Sequence, residues 1–417
     1  MGKAIVVGGG IIGLSSAYYL NETGWDVTVI DKGDMHDNCS FGNMGYVCPS
    51  HFVPLATPGI VSQGLKWMLN SSSPFYIRPR LSKSLIDWGY QFVKSATQKH
   101  VERSAAPLCN IALLSKKLYE EWNAVPGFDF SYQSLGMLEY FKTDKNAEHA
   151  VHTVEKAKAL GLTDTRLLTK AEVAAMEPQT ELDIAGAIYF KSDAQLWPNQ
   201  LMTNLHQLLL SKGVKFVLNE EVISFEKRKG VVECLNTDKC GYGLDMLVIA
   251  AGSWSRELAA LLSLKIPMVA GRGYSFTLKD SGFHLNHPAI LTEGRVAITP
   301  INNELIRFGG TMEITNTNTP PRMQRVKGIV NAVKDFLPAF KIDMPNEKAI
   351  WYGYRPCSAD GLPYIGRTKH VTNCIVASGH AMLGVSLGPA TGKLVSELAN
   401  EKAISMDIAP FDVHRFE

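Results

Sequence analysis

The sequence predicts an α/β protein with an α+β second domain, on three observations. A strand pattern running into a glycine-rich turn and then a helix occurs near both ends of the chain, at residues 4–20 and 375–398. Between Pro267 and Trp351 the pattern changes to a β-rich one, with strands expected at 274–278, 296–300, 306–310 and 349–351. At 417 residues the chain is also long for a single core, so two domains are the default.

Residues 4–7 are continuously apolar and rich in β-branched side chains, which reads as a strand buried on both faces. The run Gly8-Gly9-Gly10-Ile11-Ile12-Gly13 satisfies G-x-G-x-x-G at Gly8, Gly10 and Gly13, and residues 14–20 then carry apolar side chains at helical spacing. Gly8 makes the strand-to-helix turn, Gly10 lets a pyrophosphate approach the backbone, and Gly13 lets the helix sit close on the strand. The helix start, with Ile12 in its first turn, offers free N–H groups and a partial positive charge to a diphosphate. A second strand, 26–30, ends in Asp31, eighteen residues past Gly13, where a carboxylate accepts from a ribose 2′-OH. These residues point to a bound dinucleotide, FAD or NAD. The motif's position at the start of the chain favours FAD, since many NAD enzymes place a catalytic domain first.

Composition sets bounds on the rest. With 46% apolar and 20% charged residues and a net charge of +2, the chain reads as globular with no reason to bind nucleic acid. No run of eighteen apolar residues exists, and a strand starting after three residues leaves no room for a signal peptide, so a cytoplasmic protein is expected. The seven cysteines are scattered without C-x-x-C spacing, which predicts free thiols and no metal site.

Along the chain, Gly42, Asn43 and Gly45 form a small-residue segment suited to run close to a flat ligand. Residues 58–96 mix apolar side chains, among them Trp67 and Trp88, with Arg78, Arg80 and Lys83. This segment reads as two helices packed on the core with their bases in water; docking on an anionic membrane surface, on the inner face of a plasma membrane, is the alternative. An amphipathic helix is expected at 105–122, strands at 134–141 and 184–190, a helix from Pro198 to Leu210, and a strand at 214–218. Another strand, 245–250, runs into Ala251-Gly252-Ser253, a small-residue turn at a sheet's carboxyl end where ligands bind. At the far end a strand at 375–377, a turn at 379–388 and a helix at 389–398 provide a second glycine-lined helix start, free to face the same cofactor.

The segments VVGGGIIGLSSAYYL…VIDK, CSFGNMGYVCPS, SPFYIRPRLS, DAQLWPNQL, LVIAAGSWS, GRGYSFTL, YGYRPCSADGLPYIG and SGHAMLGVSLGPATGKLVSEL together resemble the D-amino-acid dehydrogenase/oxidase superfamily of flavoproteins. Glycine oxidase and sarcosine oxidase are similar, and bacterial D-amino-acid dehydrogenases of the small-subunit type resemble the chain most. The resemblance implies a Rossmann-type FAD-binding domain, made of 1–50, 193–262 and 355–417, with an inserted mixed-sheet substrate domain, 51–192 and 263–354. It implies that Asp31 and Lys32 lie at the adenosine ribose, Ser40, Asn43 and Met44 near the pyrophosphate or ring, and Val222 at the adenine. Gly252 closes the diphosphate side, and Gly379, Met382, Leu383 and Gly384 meet the flavin's pyrimidine edge. One departure is Met382, where many relatives carry a smaller residue, which alters access to the flavin face.

Arg355, at the end of a strand and before Pro356, is expected to hold a substrate carboxylate by two parallel charge-assisted hydrogen bonds. Tyr274 is expected to donate to the same carboxylate or line the pocket. His380 is placed near the substrate or flavin, and His51 and Tyr46 within reach of the pocket. The activity implied is oxidative deamination of a D-amino acid, with hydride passing from Cα to flavin N5. Alternatives are oxidation of glycine, sarcosine or a D-proline or hydroxyproline derivative, and, from another class, a non-catalytic FAD-retaining scaffold. O₂ and a membrane quinone both stand as electron acceptors.

Overall fold

The computed structural model describes residues 2–36, 38–68, 73–302 and 304–417, without the side chains of residues 65–68. The opening strand, Lys3–Val7, lies inside a six-stranded sheet in the order Tyr364–Arg367, Cys374–Ser378, Met246–Ile249, Lys3–Val7, Asp26–Asp31, Lys215–Leu218. All pairings are parallel except that of Tyr364–Arg367 with Cys374–Ser378. The central strands are apolar on both faces because both faces are covered. Helices Ile11–Glu22, Pro198–Ser211, Gln98–Asn123 and Gly384–Ala399 pack on one side. A three-stranded antiparallel sheet, Val222–Arg228, Val231–Thr237 and Gly241–Gly243, covers the other with helix Ser255–Leu261.

The terminal helix starts at Gly384, five residues earlier than the glycines and Pro389 suggest. Gly388 and Gly392 serve packing here: a Cβ at Gly388 would sit 2.8 Å from Ile11 and one at Gly392 2.4 Å from the Ser15 backbone. The helix thereby lies directly on Ile11–Glu22. Pro389 has no N–H to give the Val385 carbonyl. The Tyr119 hydroxyl donates to that carbonyl instead, at 2.6 Å, from the helix Gln98–Asn123. That helix begins earlier than the apolar pattern at 105–122 because Thr97 caps it, accepting from His100 N. It was expected in the substrate domain, yet its Tyr119 and Trp122 sit in the core of the six-stranded half.

The second sheet has nine strands: Ile350–Ser358, Met268–Lys279, Leu305–Ile314, Val296–Ile301, Ala289–Leu291, Met137–Phe141, Gly186–Phe190 and Arg166–Thr169 in order, with Phe75–Ile77 beside Leu305–Ile314. It is mixed, with Ala289–Leu291 parallel to Met137–Phe141 and most other pairs antiparallel. Helix Met323–Phe336 buries Val326, Ile329, Val330 and Val333 against one face.

Residues 58–96 differ from the expected arrangement. Trp88 is buried, stacked on Phe92 at 4.7 Å with its Nε1 donating to Cys357 O, but Leu81, Ile86, Tyr90 and Val93 are exposed. Ile86, Tyr90 and Val93 recur at i, i+4 and i+7 of helix Lys83–Ser95, so they form one outward stripe. The Trp67 side chain lies outside the described residues. Among the described residues no helix is long and apolar enough to cross a membrane.

Candidate active site

A cavity of about 2080 Å³ separates the two sheets. It exceeds the ~1,000 Å³ upper end of ordinary small-ligand pockets. Room for a dinucleotide and a substrate together follows.

At one end the first glycine turn forms its wall. Gly8 has φ +113, and a Cβ there would lie 2.5 Å from Ala250 O. Gly13 stands behind the wall rather than in it, and a Cβ there would be 1.8 Å from Gly8 O. Gly10, Ile12, Ser40, Val222 and Gly252 line this end. Ser40 Oγ accepts from Ile11 N at 3.0 Å, fixing the following loop to the helix start. The Asp31 carboxylate is held in place by Gly9 N at 2.6 Å and Gly33 N at 2.7 Å, and it lines the cavity. Lys32 places its Nζ 3.9 Å from the Trp254 ring, and burial lowers its pKa.

The second helix start closes on the same space. Met382, Leu383 and Gly384 line it, with Met382 43% exposed, while Gly379 (φ +80) lies behind and serves the turn, close on the Tyr364 ring. Two helix N-termini, a glycine cradle without side chains and a fixed carboxylate fit a dinucleotide with a diphosphate and a ribose diol. Trp351, whose ring lies over Gly42 and Gly353, keeps a buried Nε1 with no hydrogen-bond partner, a donor suited to a polar ring edge.

The loop bearing Asn43 and Met44 is stitched to the nine-stranded sheet by side chains the sequence did not single out. Arg307 Nη1 donates to Phe41 O (2.8 Å) and Asn43 O (2.7 Å), Ser275 Oγ to Gly42 O (2.9 Å) and Thr299 Oγ1 to Met44 O (2.7 Å). Burial pushes Arg307 down to about 9, and it stacks 4.1 Å over Trp197. No motif marks Arg307 or Thr299, and Ser275 is an unremarked member of GRGYSFTL; strand register brings all three under the loop.

Two expected substrate contacts are otherwise engaged. The Tyr46 hydroxyl lies 2.8 Å from both Ala289 O and Ile298 O and accepts from Ile298 N, so it ties the loop to the sheet. The Tyr274 hydroxyl donates to Glu313 Oε2 at 3.1 Å and accepts from Arg322 N at 2.8 Å, within a buried network where Arg272 also holds Glu313. Gly273, the neighbouring residue, faces Arg355, while Tyr274 lines the cavity with its hydroxyl turned to Glu313.

Both histidines reach the cavity as neutral groups. His380 is buried; its Nε2 donates to Thr391 Oγ1, which itself donates to Leu387 O, and its Nδ1 has no hydrogen-bond partner. Burial pushes it down to about 3 and pushes His51 down to about 4. An unfolded histidine titrates near 6.5, so the stability from keeping His380 neutral is complete above that pH and is lost as pH falls toward 3. Thermal melts should therefore drop on acidification below about pH 6.5, and His380→Gln should flatten that drop.

His51 Nδ1 lies 3.3 Å from Ser50 Oγ, which donates to buried Asp193 at 2.5 Å. Cys48, His51 and Asp193 put one ligand atom each within 4.8 Å of one another, a grouping the sequence reading missed because Asp193 is remote in the chain. Ser50 N and Oγ already occupy both Asp193 oxygens, and burial pushes the carboxyl up to about 7.

Arg355 also lines the wall. Its Nη1 donates to Thr311 O at 2.7 Å, and among the described residues no carboxylate lies within 4.0 Å of it. Its guanidinium lies over Gly273, where a Cβ would be 2.1 Å from Nη1 and Nη2. Burial lowers its pKa, so a lone charge is held here at a cost that an anionic ligand offsets. Gly273→Ala should push the guanidinium aside and raise KM by about tenfold or more, the equivalent of one lost charged hydrogen bond, with FAD retained.

Fold and site together define a flavin-dependent oxidoreductase. The chain belongs to the DAO family, described as FAD dependent oxidoreductase, which it matches over residues 3–398. It is 29% identical over 402 residues to a D-amino acid dehydrogenase of Helicobacter pylori, covering 96% of this chain and 95% of that one. A D-amino acid dehydrogenase of Neisseria meningitidis is 29% identical over 423 residues, covering 100% of both. Among solved structures, glycine oxidase from Geobacillus kaustophilus superposes with a TM-score of 0.80 at 23% identity, covering 100% of both chains. L-proline dehydrogenase from P. horikoshii does so with a TM-score of 0.76 at 19% identity, covering 100% of this chain and 97% of that one. As an FAD-dependent oxidoreductase the chain is an enzyme, which sets the scaffold reading aside.

Proposed function

We propose that the protein oxidatively deaminates a D-amino acid to the imino acid, which hydrolyses to a 2-oxo acid and ammonia. The observation that carries this is Arg355: a half-buried guanidinium without a carboxylate partner among the described residues, in the same cavity as both glycine-lined helix starts. FAD, when bound, accepts a hydride from the carbon that bears the amine. The chain's own part is to grip the acid group at Arg355, so that the Cα–H is aimed and translational freedom is already lost before reaction. His51 and His380 present neutral surfaces, which favour the uncharged amine. The names of the curated relatives support a D-amino acid; a glycine, sarcosine or D-proline derivative is the alternative of the same class. Anaerobic bleaching of the bound flavin by a panel of D- and L-amino acids and secondary amines tests it. Bleaching by L-amino acids alone removes the reading.

A membrane-facing electron acceptor is favoured by one observation. Val53, Val61 and Val93 are exposed and also line the cavity, continuous with the outward stripe of Ile86 and Tyr90. An apolar rim of this kind suits docking on a bilayer and transfer to a lipid-soluble quinone. Co-sedimentation with anionic liposomes, weakened by Ile86→Asp with Tyr90→Ser, is the expected result. Equal recovery of both proteins in the supernatant would remove this part.

A further inference from the structure

We infer that Thr311 is a second anchor for the substrate's acid group, its hydroxyl donating to the carboxylate that Arg355 grips; this rests on the reading proposed above. The register between Met268–Lys279 and Leu305–Ile314 runs Tyr274 opposite Gly310 and then jumps to Arg272 opposite Glu313. Gly273, Thr311 and Met312 fall in that irregularity, and bulges beside active sites re-aim side chains. Thr311 has φ +62, a conformation in which a β-branched residue is a true outlier and where glycine or asparagine is the ordinary choice. The turn it makes presents its carbonyl to Arg355 Nη1 at 2.7 Å.

Its side chain carries the second anomaly. Thr311 is only 9% exposed and lines the cavity, yet its Oγ1 is buried with no hydrogen-bond partner. Buried hydroxyls in folded proteins are paired in the great majority of cases. Backbone strain and an unmet hydroxyl thus coincide at one residue, next to a guanidinium that itself has no carboxylate partner among the described residues. An acid group held by Arg355 answers the unpaired guanidinium and the unmet hydroxyl together, since a carboxylate oxygen has lone pairs left over for a hydroxyl donor. Tyr274, the residue in which the sequence placed this second donor, has spent its hydroxyl on Glu313.

Three variants of the holoenzyme separate the hydroxyl from the backbone. Thr311→Val keeps the branched shape and loses the donor, Thr311→Gly loses the donor and relieves the strain, and Thr311→Ser keeps the donor. Benzoate binding, followed by the absorbance of the bound flavin, and KM for an amino acid that bleaches the wild type are the readouts. Valine and glycine variants should weaken benzoate and raise KM about tenfold or more, the loss of one charge-assisted hydrogen bond, with serine close to the wild type. The inference falls if the glycine variant binds benzoate as tightly as the wild type, or if serine loses as much as valine. It falls together with the parent reading if Arg355→Ala leaves benzoate binding unchanged; it falls alone if only Arg355→Ala weakens it.

Discussion

Arg355→Ala is expected to raise KM for the substrate by about a hundredfold or more, as truncating one partner of a buried, hydrogen-bonded charge pair does. The bound FAD should stay in place, because no part of the glycine cradle leans on this side chain. Arg355→Lys is the informative companion: it keeps the positive charge but loses the planar fork, so it should recover only part of the loss. Steady-state kinetics of both variants at matched flavin content is the measurement. An unchanged KM in the alanine variant removes Arg355 from the substrate site.

Gly13→Ala should cost the protein its cofactor. The new methyl would lie 1.8 Å from Gly8 O, a backbone atom that cannot rotate away. Helix Ile11–Glu22 must then lift from strand Lys3–Val7, at about 3 kcal/mol or more for an overpacked buried contact. The same shift carries the helix N–H groups away from the diphosphate. A colourless purified protein with a lowered melting temperature is the expected result; full flavin occupancy would show that the close approach of helix and strand is dispensable.

The strand-turn-helix units were legible because their signals are local: a glycine spacing, an apolar run and a terminal acid within thirty residues or so. Strands in the second sheet were placed but shortened, as with Met268–Lys279, whose glycine-containing first half carries little β-propensity and is held by both neighbours. Arg355 was readable as a guanidinium before a proline, but not at a strand end as expected: its strand continues through Pro356 to Ser358, paired with Met268–Lys279. Arg307, Thr299 and Asp193 were not readable, since each acts on a segment more than a hundred residues away, joined to it by sheet register for the first two and by a strand-connecting turn for Asp193. Tyr46 and Tyr274 do line the cavity, but their hydroxyls bond Ala289 O, Ile298 O and Glu313, partners that sequence could not show because it gives the residue and not where its polar tip ends.

The strand order has a consequence for biosynthesis. Lys3–Val7 is wedged between Asp26–Asp31 and Met246–Ile249, and the helix that follows it rests on Gly384–Ala399. Lys3–Val7 and the helix after it must therefore wait for Gly384–Ala399 to be made, on the order of tens of seconds at ~5–20 residues per second. Throughout that interval the nascent chain exposes a sticky, half-built layer, which makes it a natural client for chaperones.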